Sequence, residues 1–596
     1  MWTYQPPLRD IQFVLNEWLD VRSVWQGIAE FADFDADTVQ QVLNAAAQFA
    51  AQVLAPTNSS GDLAGCRYEN GVVTTPSGYR EAYSAYVEGG WSSLGCHPED
   101  GGQGMPHVIN AAVFEMLVAA NHAWSMYPGL AYGAYECIRT HAAAELKQRY
   151  LPKLVSGEWL ATMCLTESHA GSDLGLLGTR AEPSTHGPYH LSGTKMFISG
   201  GEHDLTPNIV HLVLARLPEA PSGTKGISLF LVPKFLPDGT RNSVRCDGIE
   251  KKMGIKGSAT CVMTFDQAHG WIIGEPNRGL AAMFVMMQSA RLHVGLQGLG
   301  HTEAAYQNAL QYAVERVQMR APAASRANRA ADPIILHPAI RRALLELRTY
   351  AQGQRAIAYW VANFLDRAEH DPDAERRQYC SLHTALLTPV IKAFFTENGF
   401  TQASAALQVF GGHGYIHDNA IEQTVRDSRS AMIYEGTNEI QAIDLLVRKV
   451  IGDGGAALRL LLAEIKAEAA ACESVSDVVE FGRKLTAASN EFGVAAAALC
   501  ADSRQDLELP YRAASDFMRA LGLLLLSFVW ARAARISMPR AASDSFYREK
   551  VTSAEYCFDF VLPELQHRLR LVQTARKPLA RIEPDPWQEQ RPAAHG

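Results

Sequence analysis

The sequence predicts an α+β protein: an N-terminal α-helical domain, a middle antiparallel β domain, a C-terminal α-helical bundle, and an extra helical domain after it. Three observations carry this. Residues 37–156 are Ala-rich and helical in period; from Trp159 short runs of Val, Ile, Leu and Phe alternate with turn residues; from Gly279 long helical periods return. The units this predicts are 1–36 (N-terminal helical extension), 37–158 (α domain), 159–278 (β domain), 279–450 (helical bundle) and 451–596 (added helical domain and tail). At 596 residues the chain is long enough for three to four such units.

In the extension, Ile11, Val14, Leu15, Trp18 and Leu19 repeat as one face of a helix. A turn-rich stretch, residues 97–104, interrupts the first α domain. In the β domain, residues 189–191, 195–198, 209–215, 227–232 and 261–265 read as strands separated by Gly, Pro, Ser and Asp, as in a small antiparallel barrel or sandwich. A polar insertion with Pro372 breaks the later helices at residues 366–377, and Gly454-Gly455 opens the last helical segment.

Composition removes several classes. Lys+Arg 54 against Asp+Glu 63 gives a net charge of −9, with no basic excess in residues 451–596 either, so no nucleic-acid partner is expected. The longest apolar run, from Ala520 to Ala531, is too short for a span, which needs ~20 residues, so no transmembrane segment is expected. The ten cysteines include no CxxC pair. The N-terminus lacks a basic and then apolar leader, and Asp10, Glu17 and Asp20 argue against a mitochondrial presequence; a cytoplasmic location follows as the expectation.

Four stretches place Gly, hydroxyl or charged residues where a backbone can approach a ligand. Met163-Cys164-Leu165-Thr166-Glu167-Ser168-His169-Ala170-Gly171-Ser172 is an apolar entry followed by a small-residue turn. Phe197 and Ser199, one residue apart on a strand, point to one face before the Gly200-Gly201 pair. Gln408-Val409-Phe410-Gly411-Gly412-His413-Gly414 lets the main chain pass close to another group, yet it is not GxGxxG. His413 and His417 sit four apart, but Gly414 between them and the lack of HExxH leave the metal reading without support, and no metal site is assigned. Tyr434-Glu435-Gly436-Thr437-Asn438-Glu439 describes an acid at a helix entrance, with Thr437 or Asn438 as cap. Apolar neighbours desolvate such a glutamate and raise its pKa toward that of a useful base. Taken alone, each stretch also reads as an ordinary turn, strand or cap.

Together, in this order, the four resemble the acyl-CoA dehydrogenase family. Residues 145–154, residues 252–258 and Ala313-Val314-Glu315-Arg316 add to the resemblance, which covers roughly residues 37–450. It implies FAD as cofactor and an acyl-CoA thioester as substrate. Glu435 stands at the position of the catalytic base. Met163, Thr166 and Ser172 lie on the loop contacting flavin and acyl-CoA, and Phe197 and Ser199 match the pair beside the isoalloxazine and pyrophosphate. Arg316 and Gln318, with Gln408, Gly411 and Gly412, match positions reaching the FAD of a neighbouring subunit. Thr437 and Glu439 lie near the cofactor; Arg291 and Gly436, with Ser172, match substrate-side positions.

The long extensions on both sides of the core resemble the subgroup holding 3-methylthiopropionyl-CoA dehydrogenases and broad-specificity bacterial fatty acyl-CoA dehydrogenases. They imply a homodimer, and the family resemblance implies an electron-transferring flavoprotein as electron acceptor. Three departures stand out: Ser168-His169 replaces a usual Pro, Met163 stands where an aromatic is common, and Gln318-Met319-Arg320 replaces a hydroxyl–aromatic–Gly run. An acyl-CoA oxidase on the same fold stays open, because no residue reports oxygen access. A nitroalkane oxidase is disfavoured by Glu435, and a DNA-associated flavoprotein of the family by the missing basic footprint. The run from Leu521 to Trp530 reads as buried packing in preference to a helix lying on a bilayer.

Overall fold

The computed structural model describes residues 2–184, 187–323 and 330–582; the end of the expected tail, residues 583–596, lies outside the described residues. The extension is two short helices, α1 (Leu8–Gln12) and α2 (Val21–Trp25), with π-helical turns over Phe13–Trp18 between them. The helix expected over residues 8–19 therefore forms, its second half in wider π turns that bury Phe13 beside Val14, Leu15 and Trp18.

The first α domain holds α3 (Ala36–Phe49), α4 (Pro56–Ala64), a hairpin of β1 (Arg67–Glu69) and β2 (Val72–Thr74), then α5 (Tyr79–Glu88), α6 (His107–Ala120), α7 (His122–His141) and α8 (Ala144–Val155). Asp35 caps α3 by accepting from the Thr38 N–H at 2.7 Å. Asn121, extended between α6 and α7, accepts from Trp124 N–H at 3.0 Å and turns the chain sharply. From Val108 on, α6 is buried except at Asn110, as expected of a core helix.

The β domain contains β3 (Trp159–Cys164), β4 (Arg180–Glu182), β5 (Tyr189–Ser199), β6 (Asn208–Arg216), β7 (Ile227–Pro233), β8 (Val244–Ile249) and β9 (Thr260–Ile273). Pairings run β6–β4–β5–β9–β7 and return to β6, which closes the sheet into a barrel. Most are antiparallel, but β3 lies parallel to β6, in register from Trp159 opposite Asn208 to Cys164 opposite Val213. That pairing was not expected from local pattern, because a parallel neighbour arrives from far along the chain. Strand β9 also runs well past the expected 261–265, since Gly270 is accommodated inside it.

The bundle consists of α9 (Gly279–Glu315), α10 (Pro338–His370), α11 (Ala374–Phe410), α12 (Ile421–Ala431) and α13 (Asn438–Ile443). The polar insertion is the connection between α10 and α11. Its buried Asp366 accepts from the N–H groups of His107 (2.6 Å) and Val108 (3.2 Å), capping α6 from another domain.

The added domain is α14 (Ala456–Glu473), α15 (Val479–Asp502), α16 (Leu509–Ser537), α17 (Ser545–Tyr556) and α18 (Pro563–Thr574). Helix α16 and the turn after it are long and apolar enough to cross a membrane by length and composition, contrary to the reading of its apolar run. However, 89% of the most apolar window is buried inside the protein, so it serves as a core helix. A Cβ on Gly522 would meet Phe394 Cδ2 at 2.3 Å, so only glycine allows α16 to approach α11 this closely. Trp530 Nε1 donates to the Thr349 carbonyl of α10 at 3.1 Å, and Trp18 Nε1 donates to that of Val529 at 3.2 Å. The two terminal extensions thus pack on each other and on the bundle.

Candidate active site

Glu435 sits between α12 and α13 with φ +56°, a left-handed conformation that a residue with a Cβ adopts only when its surroundings hold it there. Gly436 follows at φ +83°; a Cβ there would stand 2.8 Å from Gln441 Nε2, the amide that donates to the Glu435 carbonyl at 3.0 Å. Thr437 Oγ1 accepts from the Ile440 N–H at 3.4 Å and caps α13. Burial pushes the Glu435 carboxyl up to about 7, against the downward pull of Arg291 and then Lys392.

Both cations are fixed by other bonds. Arg291 of α9 pairs with Asp444 at 3.2 Å and is buried. Lys392 of α11 is fully buried and donates to Asn438 Oδ1 at 3.0 Å, and burial pushes its amine down to about 7. Lys392 was missed from sequence. A lysine inside the apolar run Pro389-Val390-Ile391-Lys392-Ala393-Phe394 was the available clue, since lysine is rarely fully buried without a partner.

The loop after β3 is held by a second pair missed in the sequence. Lys195 of β5, fully buried, meets Glu167 at 2.8 Å and also donates to the Leu165 carbonyl at 3.0 Å. Glu167 accepts further from Gly178 N–H, Thr179 N–H and Thr179 Oγ1; these partners outweigh burial and hold its carboxyl down at about 2. Next to this clamp, the Met196 N–H donates to the Thr166 carbonyl at 2.9 Å, joining the Thr166 loop to the Phe197–Ser199 stretch.

A register shift between Lys195 and Ile198 bulges β5, and Phe197, at φ +60°, turns its ring outward to 58% exposure. Thr166 and Ser199 are half-buried, and Ser172 is exposed. An outward aromatic platform with hydroxyls beside it, on a braced loop, fits a flat heteroaromatic group such as the flavin of FAD. Met163 lies on strand β3 opposite Leu212, its side chain in the core just before the loop begins.

Helix α7 ties the two halves together. Met126 faces Gln297 and Tyr434, whereas the next residue, Tyr127, packs near Gly200 and accepts from the Ala259 N–H at 2.8 Å. One turn along α7 from Met126 and one along α9 from Gln297, residues including Phe114, Leu117, Gly129, Ala131 and His293 line a cavity of about 40 Å³.

The remaining expected residues gather elsewhere. Arg316 and Gln318 follow the end of α9, and Gln408, Gly411 and Gly412 end α11; Tyr312 joins the two ends by stacking on Phe410 (4.2 Å) and bonding His413 Nδ1 (2.9 Å). A Cβ on Gly411 or Gly412 would meet nothing within 4 Å, so this backbone is open to a close approach. Along α9, Arg291 and Glu315 are separated by about 36 Å at 1.5 Å per residue. His417 pairs with Glu422 at 2.7 Å, away from His413's partner. Glu439 is exposed, its carboxyl held below the ordinary value by its own backbone N–H and the Thr437 hydroxyl.

Comparison with known proteins gives the family. Models of the acyl-CoA dehydrogenase N-terminal, middle and C-terminal domains match residues 36–158, 162–268 and 277–450, and a model described as acetyl-CoA dehydrogenase C-terminal like matches 461–583. The chain belongs to the acyl-CoA dehydrogenase family, oxidoreductases acting on the CH–CH group of acyl-CoA. It is 39% identical to the 3-methylmercaptopropionyl-CoA dehydrogenase of Ruegeria pomeroyi, over 94% of this chain and 96% of that one. It is 34% identical to a broad-specificity linear acyl-CoA dehydrogenase of Mycobacterium tuberculosis, over 96% and 97%. The fold matches that of an acyl-CoA dehydrogenase complexed with FAD from Bacillus anthracis, with TM-score 0.74, 20% identity, and 93% and 91% coverage.

Proposed function

We propose that the protein is an FAD-dependent acyl-CoA dehydrogenase that converts a short acyl-CoA to the trans-2-enoyl-CoA, with Glu435 as the base. The observation that carries this is the Glu435 carboxyl itself: desolvated, with a pKa of about 7, on a loop whose backbone is pinned. A proton α to a thioester is weakly acidic, so its removal needs a positioned carboxylate and donors for the developing enolate oxygen. Glu435 takes the proton, and its own N–H, fixed by the left-handed turn, points at the thioester oxygen. Lys392 and Arg291 keep part of the carboxylate ionised at neutral pH. Phe197, Thr166 and Ser199 would hold the flavin ring of FAD, which would supply the hydride-accepting redox chemistry.

The 39% identity to a 3-methylmercaptopropionyl-CoA dehydrogenase, over nearly the whole of both chains, supports a short acyl chain such as 3-methylthiopropanoyl or butanoyl. The open Gly411–Gly412 backbone stands beside the C-terminal end of α9, which lies about 36 Å along that helix from Arg291. That separation supports a homodimer in which this end serves the FAD of the partner. Electrons then leave to an electron-transferring flavoprotein. The test is anaerobic addition of an acyl-CoA series to the yellow holoprotein. Short thioesters are expected to bleach the oxidised flavin and yield enoyl-CoA. A flavin left unreduced by every thioester contradicts the reading, and stoichiometric peroxide in air, at the rate of a dye-coupled assay, reassigns it as an oxidase.

A further inference from the structure

Behind the Glu435 loop runs a chain of buried side chains that the reaction, as derived, does not use. Tyr434 Oη lies 2.5 Å from Gln297 Oε1 and 3.2 Å from His122 Nε2, and His122 Nδ1 lies 2.9 Å from His301 Nε2. His122, His301 and Gln297 are all buried. The Gln297 amide sets the direction of the chain. The Gln297 Nε2 faces Met126 Sδ at 3.5 Å, and a thioether only accepts, so Oε1 is the atom turned to Tyr434. Tyr434 therefore donates to Gln297, and its oxygen accepts from His122 Nε2–H. That leaves His122 Nδ1 as acceptor for His301 Nε2–H.

This direction requires two neutral rings with one proton each. Burial supplies that condition, pushing the His122 imidazole down to about 4 and holding that of His301 well below its ordinary value. Burial likewise keeps the Tyr434 phenol protonated, as a donor must be.

The chain ends on the residue immediately before Glu435, whose φ is +56°. On the other side of Glu435, Gln441 holds its carbonyl. The strained peptide is thus gripped from both ends, by a phenol ring before it and an amide after it. We propose that His301, His122 and Tyr434 form a positioning chain that keeps the Glu435 main chain left-handed, so that its carboxylate meets the α-proton and its N–H meets the thioester oxygen. This rests on the reading of Glu435 as the base. Neither histidine touches the reacting atoms. Each acts through Tyr434, and its loss slows proton removal without weakening flavin or thioester binding.

The experiment uses the holoenzyme with butanoyl-CoA and a ferrocenium acceptor. His301→Leu removes the donor at similar volume, whereas His301→Gln returns an N–H to the same place. His301→Leu is expected to lower kcat about tenfold, with KM and flavin content changed by less than about twofold. It should also raise the isotope effect of α,α-dideuterated butanoyl-CoA, and His301→Gln should recover most of the rate. Tyr434→Phe should lose a similar amount, and the double variant His301→Leu/Tyr434→Phe no more than the worse single one. If His301→Leu sheds its flavin, Tyr434→Phe decides, because it deletes the same linkage without emptying a core position. Wild-type kcat in Tyr434→Phe or in a flavin-loaded His301→Leu, or losses that multiply in the double variant, would overturn the proposal. Failure of the underlying reading looks different: Glu435→Gln would then keep its turnover.

Discussion

Glu435 combines a raised pKa with a left-handed backbone, and each has a measurable consequence. Because its carboxyl titrates near 7, kcat/KM should rise with pH through about 7 as the carboxylate forms. Lys392 pulls that value down, so Lys392→Met should move the rising limb to higher pH; an unmoved limb would mean that the buried amine does not act on Glu435. The sign for stability is opposite. A folded pKa above the ordinary carboxylate value means that deprotonation disfavours the fold, a cost growing from about pH 4.5 through 7. Glu435→Gln should therefore raise Tm at pH 8 more than at pH 5, which a pair of thermal melts checks. The glutamate was legible in the sequence because its aromatic, glycine and capping neighbours are local. Lys392, Lys195 and the His122–His301 pair were not, since each gains its meaning from a partner far along the chain, such as Asn438 for Lys392 and Glu167 for Lys195.

At the scale of elements, the loop after β3 depends on a clamp that no short motif encodes. Glu167 serves Lys195, Gly178 and Thr179 at once, so Glu167→Gln leaves a fully buried ammonium without its counter-charge. The expected result is loss of FAD affinity with the bundle intact, read as flavin released on gel filtration while helical circular dichroism persists. Thr437→Ala is milder. Loss of its cap on α13 should cost about 1 kcal/mol or less, given the long 3.4 Å bond, and appear as a small fall in Tm. Helices were the most legible elements because their period repeats many times, as in α9 and α11. The parallel β3–β6 pairing and the β5 bulge were hidden, since register is a property of two strands and not of one.

For the whole molecule, the two extensions form one structural layer against the bundle. Trp18 reaches α16, α16 reaches α10 through Trp530, and Lys550 of α17 pairs with Asp10 of α1. Removing everything after Val450 should uncover the α10 and α11 faces under α16 and cause aggregation or a changed oligomer; a soluble, fully active truncation would refute that role. Those faces also brace the surroundings of Glu435, since Lys392 and Phe394 lie on the same helix, one toward Asn438 and the other against Gly522. The most direct test of the account as a whole is steady-state turnover of Glu435→Gln with FAD bound, beside Glu439→Gln as the control. Gln keeps the volume and the backbone N–H but accepts no proton, so the account predicts a fall of at least about 10²–10⁴-fold for Glu435→Gln and little change for Glu439→Gln. Near-normal turnover in Glu435→Gln, with Glu439→Gln inactive, would contradict it.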